Sequence, residues 1–146
     1  MQTPKVHERS RARGWALQAL YSWEMRGAEA DSLVQTLEDV MDQLQVARRN
    51  ASYSVVLVRL IAANLPRVDR VLTDALENWR MDRLAVMDRN ILRIGVTEIL
   101  FVDDVPPLIA VREGAALAER YGTPESPRFV RGVLDAVARN VAAPRP

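Results

Sequence analysis

The chain contains no cysteine and only one histidine and one lysine. Without thiols there is no disulfide framework, thiolate zinc site, iron–sulfur cluster or cysteine nucleophile, and a reducing cytosol is the expected compartment. The lone histidine, His7, sits in a basic N-terminal segment, which removes histidine-based triads and histidine-rich metal centres. Glycine loops that cradle phosphates and the G-x-S-x-G nucleophile elbow are missing too. Adjacent carboxylates occur at Glu38-Asp39 and Asp103-Asp104, but little else is available to build a catalytic site around them. No apolar run approaches the ~20 residues needed to span a bilayer. The N-terminus also lacks the apolar stretch of a signal peptide. The expectation is a cytoplasmic protein with no catalytic residue, metal, cofactor or membrane partner.

What is present is apolar and charged in good measure: 49% hydrophobic and 27% charged over 146 residues. That suffices for one globular core, so a single domain spanning 1–146 is expected, with 1–8 and 142–146 as flexible ends. Charge is nearly balanced, 20 Lys+Arg against 19 Asp+Glu, but unevenly distributed. Lys5, Arg9, Arg11 and Arg13 make the N-terminus basic, while Glu24, Glu29, Asp31, Glu38, Asp39 and Asp42 make the next stretch acidic.

Hydrophobic spacing is helical almost throughout. Ala12, Trp15, Ala16, Ala19, Leu20 and Trp23 form one stripe over residues 9–25, stopped by Gly27. Leu33, Leu37, Val40 and Met41 mark a second helix over 30–44. A third runs to Asn64, and Pro66 suits the first turn of a fourth. Ile91 to Leu100 are apolar on several faces, so the fifth helix, 84–101, is expected at the centre. Pro106-Pro107 restarts the chain into a sixth helix that presents Leu108, Val111, Ala115 and Ala118, with Gly122 as an expected left-handed cap. The seventh carries Phe129, Val130, Val133, Leu134 and Val137. The fold class is all-α, a compact bundle of about seven helices. Glu98 in the most apolar helix calls for a cation such as Arg93 or Arg112, and Trp15, Trp23 and Trp79 read as core or half-buried anchors.

The basic end carries the most functional information. With a helix starting at Arg9, cations in the first turn oppose the macrodipole, and an anionic partner is one reason to keep them there. Arg9 and Arg13 share a face, and Arg11 lies about 200° round from Arg9. Gln18 and Tyr21 lie further along the same helix, supplying the amide and aromatic groups that RNA recognition uses. A solubilising basic end, or a bundle that contacts only other proteins, is the competing reading.

Three stretches are more specific than any spacing: RARGWALQALYSWEM at 11–25, the D-D-V-P turn at 103–106 before Val111-Arg112-Glu113, and F-V-R-G-V-L-D at 129–135. With the all-helical reading, they resemble the NusB family of bacterial transcription antitermination factors. The resemblance implies two packed helical subbundles and no catalysis. It implies binding of single-stranded boxA RNA of nascent ribosomal RNA transcripts together with NusE, a small-subunit ribosomal protein, within the RNA polymerase antitermination complex. It also allows a homodimer. The implied RNA contacts are Lys5, Arg9, Arg11, Arg13, Gln18 and Tyr21, joined by Glu125, Ser126, Arg128 and Phe129, the last with a competing core reading. Asp88 and Arg89 fall on the implied partner surface. Ser10 and Arg131 depart from the family pattern, where a basic residue and Asn are common.

Overall fold

The computed structural model describes the backbone of residues 4–47 and 51–142, and the side chains of all of these except 4–6 and 30. Among the described residues the structure is helical without strands: α1 (Pro4–Met25), α2 (Leu33–Gln43), α3 (Ser52–Ala75), α4 (Val86–Phe101), α5 (Pro107–Tyr121) and α6 (Ser126–Ala142). Six helices stand where seven are expected, because the third and fourth run together. Pro66 has no N–H for the carbonyl one turn back, yet the result is a kink rather than a break, with Asn64 at φ −128° and ψ 20°. The Asn64 amide donates to the Leu60 carbonyl at 2.8 Å inside this kink. α1 starts at Pro4 rather than Arg9. Residues 4–8 are therefore helical rather than a flexible end, Ala142 closes α6, and 1–3 and 143–146 lie outside the described residues.

The chain divides into two compact units, Met1–Leu65 and Pro66–Pro146. In the first, α1 packs on α2. Ala12, Ala16, Ala19, Leu20 and Trp23 are buried on one helix and Leu33, Leu37, Val40 and Met41 on the other, so the apolar stripes are the packed faces. The fully buried Ser54 hydroxyl of α3 donates to the Ala12 carbonyl at 2.6 Å, tying α3 to α1. Gly27, at φ +108°, ends α1: its N–H reaches the Glu24 carbonyl at 3.2 Å and the Ala28 N–H the Trp23 carbonyl at 3.0 Å. α2 ends in the same double bond pattern, Gln45 N–H to Asp42 and Val46 N–H to Met41, but with Gln45 rather than glycine at φ +55°. On α2, hydrogen bonds from Gln35 and Arg26 hold the exposed Asp39 carboxyl below its ordinary value.

In the second unit α4, α5 and α6 pack against one another, and α4 is buried from Asn90 to Glu98, the central position its composition suggests. The side chain of Leu134 on α6 fills space left by two glycines. A Cβ at Gly95 of α4 would lie 2.6 Å from Leu134 Cδ1, and one at Gly114 of α5 would also lie 2.6 Å from it. Arg93 of α4 makes a fork to the Asp69 carboxylate at 2.9 and 3.0 Å and donates to the Asn90 side-chain oxygen at 2.9 Å. Glu98 is buried on the same helix.

Three local expectations need correction. Gly122 is extended (φ −98°, ψ −161°), not left-handed. What requires glycine there is space, since a Cβ would lie 2.5 Å from Ser126 Oγ and 2.8 Å from the Ala118 carbonyl. Leu108 is solvent-exposed in the first turn of α5 rather than part of its packed stripe, and Trp79 is exposed rather than an anchor. Among the described residues no helix is long and apolar enough to cross a membrane, and no group of three His, Cys, Asp or Glu is placed to hold a metal ion.

Two substitutions test this packing. Gly95→Ala drives a methyl into Leu134, which is enclosed on two sides, and is expected to cost about 1–3 kcal/mol of unfolding free energy in urea titrations. Gln45→Gly relieves a left-handed residue and is expected to raise stability by about 0.5–1 kcal/mol in the same assay.

Candidate nucleic-acid interface

α1 is long enough to present different faces of its arginine-rich segment to different surroundings. At 3.6 residues per turn, Arg9 and Arg13 fall on the side of Ala12, Ala16 and Leu20, while Arg11, Gln18 and Tyr21 fall on the opposite side, within a sector of about 80°. The structure follows this division. The Arg9 guanidinium carbon lies 4.5 Å from the centre of the Tyr53 ring and that of Arg13 5.6 Å from it, so both cations stack on one buried aromatic of α3. Arg13 is only 3% exposed. In this arrangement the expected RNA contact is turned inward and packs on Tyr53 instead of facing outward with Arg11. Arg9 stays half-buried. Because α1 begins at Pro4, none of the three arginines stands in its first turn, and the argument from an unfavourable macrodipole lapses with the earlier start.

The outer face is where the chemistry for a ligand remains open. Arg11 is exposed and makes no ion pair or hydrogen bond among the described residues. Gln18 is half-buried and Tyr21 is 40% exposed, so a cation, an amide and an aromatic ring line one side of the helix over about 15 Å. The backbone of Lys5 belongs to α1, but its side chain lies outside those described.

The second group of candidates lies in the other unit, at the turn into α6. Ser126 is 2% exposed. Its hydroxyl accepts the Thr123 N–H at 2.9 Å, while its own N–H donates to the Thr123 carbonyl at 3.0 Å. This reciprocal pair fixes the turn in the manner of a capping box. Ser126 is thus corrected from an RNA contact to a structural residue. Glu125 is exposed, accepting from the Thr123 hydroxyl at 3.2 Å, and Arg128 is exposed without an ion pair among the described residues. Phe129 is half-buried and meets Trp79 edge to face, ring centres 5.7 Å apart at 69°. Trp79 itself is 58% exposed, so this pair forms an aromatic surface rather than a core. Composition gave one clue to Trp79, a large aromatic in the polar break Asn78-Trp79-Arg80, but no periodicity picks it out.

Asp88 and Arg89 open α4. The Asp88 Oδ1 atom is buried and has no hydrogen-bond partner among the described residues, a desolvated acceptor inside the start of α4. Arg89 donates to the Met81 and Leu84 carbonyls at 3.0 Å each, holding the 3-10 turn Met81–Arg83 against the start of α4.

Exposed cations, a half-buried amide and partly exposed aromatic rings on helix faces, held by buried helical packing, define the class: an all-helical protein with a candidate binding surface. The NusB family model matches residues 10–139. The chain is similar to the transcription antitermination protein NusB of Desulfotalea psychrophila, 40% identical over 129 residues that cover 86% of this chain and 92% of the relative. It is also similar in structure to T. maritima NusB, with a TM-score of 0.81, 36% identity and 95% and 93% of the two chains covered. A crystal structure of the antitermination factors NusB and NusE in complex with dsRNA contains a chain that matches at a TM-score of 0.80 and 27% identity, covering 92% of this chain and 98% of that one. The chain belongs to the NusB family of transcription antitermination proteins.

The division of the arginines is tested by melting alone. Arg13→Ala is expected to lower stability by about 2 kcal/mol through the lost stacking on Tyr53. Arg11→Ala, on the open face, is expected to change it by less than about 0.5 kcal/mol.

Proposed function

We propose that the protein binds single-stranded boxA RNA of nascent ribosomal RNA transcripts together with NusE, and so helps RNA polymerase pass terminators. The whole chain acts as one RNA-binding domain, in the cytoplasm and without catalysis or cofactor. The observation that carries the reading is the outer face of α1, where Arg11, Gln18 and Tyr21 stand together and no ion pair or hydrogen bond among the described residues uses the Arg11 cation. Arg11 neutralises phosphate, Gln18 hydrogen-bonds a base edge and Tyr21 approaches a base. Arg128 and Phe129 add a cation and a stacking surface from the start of α6, and exposed Glu125 can accept from base amino groups. The structural neighbour solved with NusE and dsRNA supports both kinds of partner. Asp88 and Arg89, both half-buried at the start of α4, form the protein contact in this reading. NusE extends the contact to RNA and tightens it by shared binding free energy. A homodimer that covers the basic face would compete with RNA.

Fluorescence anisotropy of labelled boxA RNA, a scrambled strand and a duplex, with and without NusE, tests the reading. Preferential binding of boxA that tightens with NusE is expected. Arg11→Ala should lower the slope of log K against log salt by about 1 in magnitude. Tyr21→Ala should reduce the preference for boxA over the scrambled strand. Absence of binding to every RNA with NusE present would hand the function to a purely protein-contacting bundle.

A further inference from the structure

α6 carries a glycine where a helix gains nothing from one. Gly132 sits in the middle of Ser126–Ala142, is exposed, and keeps an ordinary helical backbone; a Cβ added there would meet nothing within 4 Å. Gly95 and Gly114 are explained by Leu134 and Gly122 by Ser126, but no neighbour explains this one. A mid-helix glycine costs about 0.5–1 kcal/mol relative to alanine, so the position gives up stability without a packing return.

The surroundings of Gly132 indicate what the bare surface is for. Helical side chains lean toward the N-terminus, so a side chain at 132 would cover the helix surface over residues 128 and 129. Those two are Arg128, exposed, and Phe129, the ring that meets Trp79. Arg131 is exposed beside the gap, and neither arginine forms an ion pair or hydrogen bond among the described residues. Asp135 lies one turn further on and places a negative charge at the C-terminal edge of the gap. An anion is therefore favoured on the N-terminal side, between Arg128 and Arg131, which is the side the missing side chain leaves open.

We propose that Gly132 is a seat for the RNA backbone: a sugar–phosphate unit rests on the bare helix surface, Arg128 and Arg131 neutralise it from one flank, and its base is directed to Phe129 on the other. The inference rests on the RNA-binding reading above. It adds two residues, Gly132 and Arg131, to the contact surface. Glycine is needed for close approach of the strand, and Arg131 adds its charge to that of Arg128 at the seat.

The test measures thermal stability and boxA RNA affinity on the same variants, with Arg11→Ala as the control for the reading itself. Gly132→Ala is expected to melt higher than the parent and yet bind boxA RNA more weakly. Gly132→Leu is expected to weaken binding by about tenfold through steric exclusion. Arg131→Ala is expected to reduce the magnitude of the salt slope by about 1 with an unchanged melting point. If Arg11→Ala weakens binding while the Gly132 and Arg131 variants bind as the parent does, the seat is refuted and the RNA reading stands. If Gly132→Leu weakens binding of NusE but leaves RNA binding alone, the bare surface belongs to a protein helix and the proposal fails. If the parent binds no RNA, both fall.

Discussion

The enclosure of Leu134 by Gly95 and Gly114 sets the geometry of the second unit. A leucine that touches the backbones of two neighbouring helices leaves α6 little freedom to roll or slide, because a turn of the helix would push the side chain into one of them. With the inner face fixed, the outer face is fixed as well. Arg128, Phe129 and Gly132 point away from Val130, Leu134 and Val137 because the helix has 3.6 residues per turn and only one stripe is apolar. The Arg93–Asp69–Asn90 network does comparable work for α4, holding it to the C-terminal part of α3 through a charged fork. The candidate binding groups are carried on packed helices, and buried residues hold those helices in place.

The first unit reaches the same result with different means. Ala12 is small enough for α3 to approach α1, and the Ser54 hydroxyl takes up the contact at the Ala12 carbonyl. Arg9 and Arg13 then close over Tyr53. Two cations of a segment that reads as an RNA-binding motif are thereby spent on orienting the helix that presents the third. On the proposed reading the motif is partly structural: removing Arg13 disturbs binding by loosening α1, removing Arg11 by deleting the proposed phosphate contact.

Much of this was legible from the residues, and the exceptions have common causes. The stripes of α1, α2 and α6 are periodic, so their packed faces could be named in advance, as could the stop at Gly27 and the separation of Arg11 from Arg9 and Arg13 by about 200°. Burial of Arg13 could not be named, because a long amphipathic side chain lies inward or outward according to an aromatic partner distant in sequence, here Tyr53. Ser126 misled for a related reason: serine in a turn can serve a ligand or the turn itself, and only the hydrogen bond from Thr123 decides. Pro66 signalled a boundary, and the backbone does leave helical geometry at Asn64, though the two segments run on as one kinked helix. Trp79 carries no periodic signal, and its edge-to-face contact with Phe129 depends on the path of the loop before α4. The candidate surface was therefore half legible: its helix faces were, but its aromatic completion and its structural members were not.

The central claim is that RNA meets the outer faces of α1 and α6 while the residues behind them only hold those faces in place. Backbone and side-chain NMR shifts of the full chain, recorded as boxA RNA is added, address it most directly. The account predicts that signals of Arg11, Gln18, Tyr21, Phe129 and Gly132 move with RNA while those of Ser54, Glu98 and Leu134 stay still. Shifts confined to the acidic helix α2 or to the start of α4 around Asp88, with α1 and α6 unmoved, would contradict it.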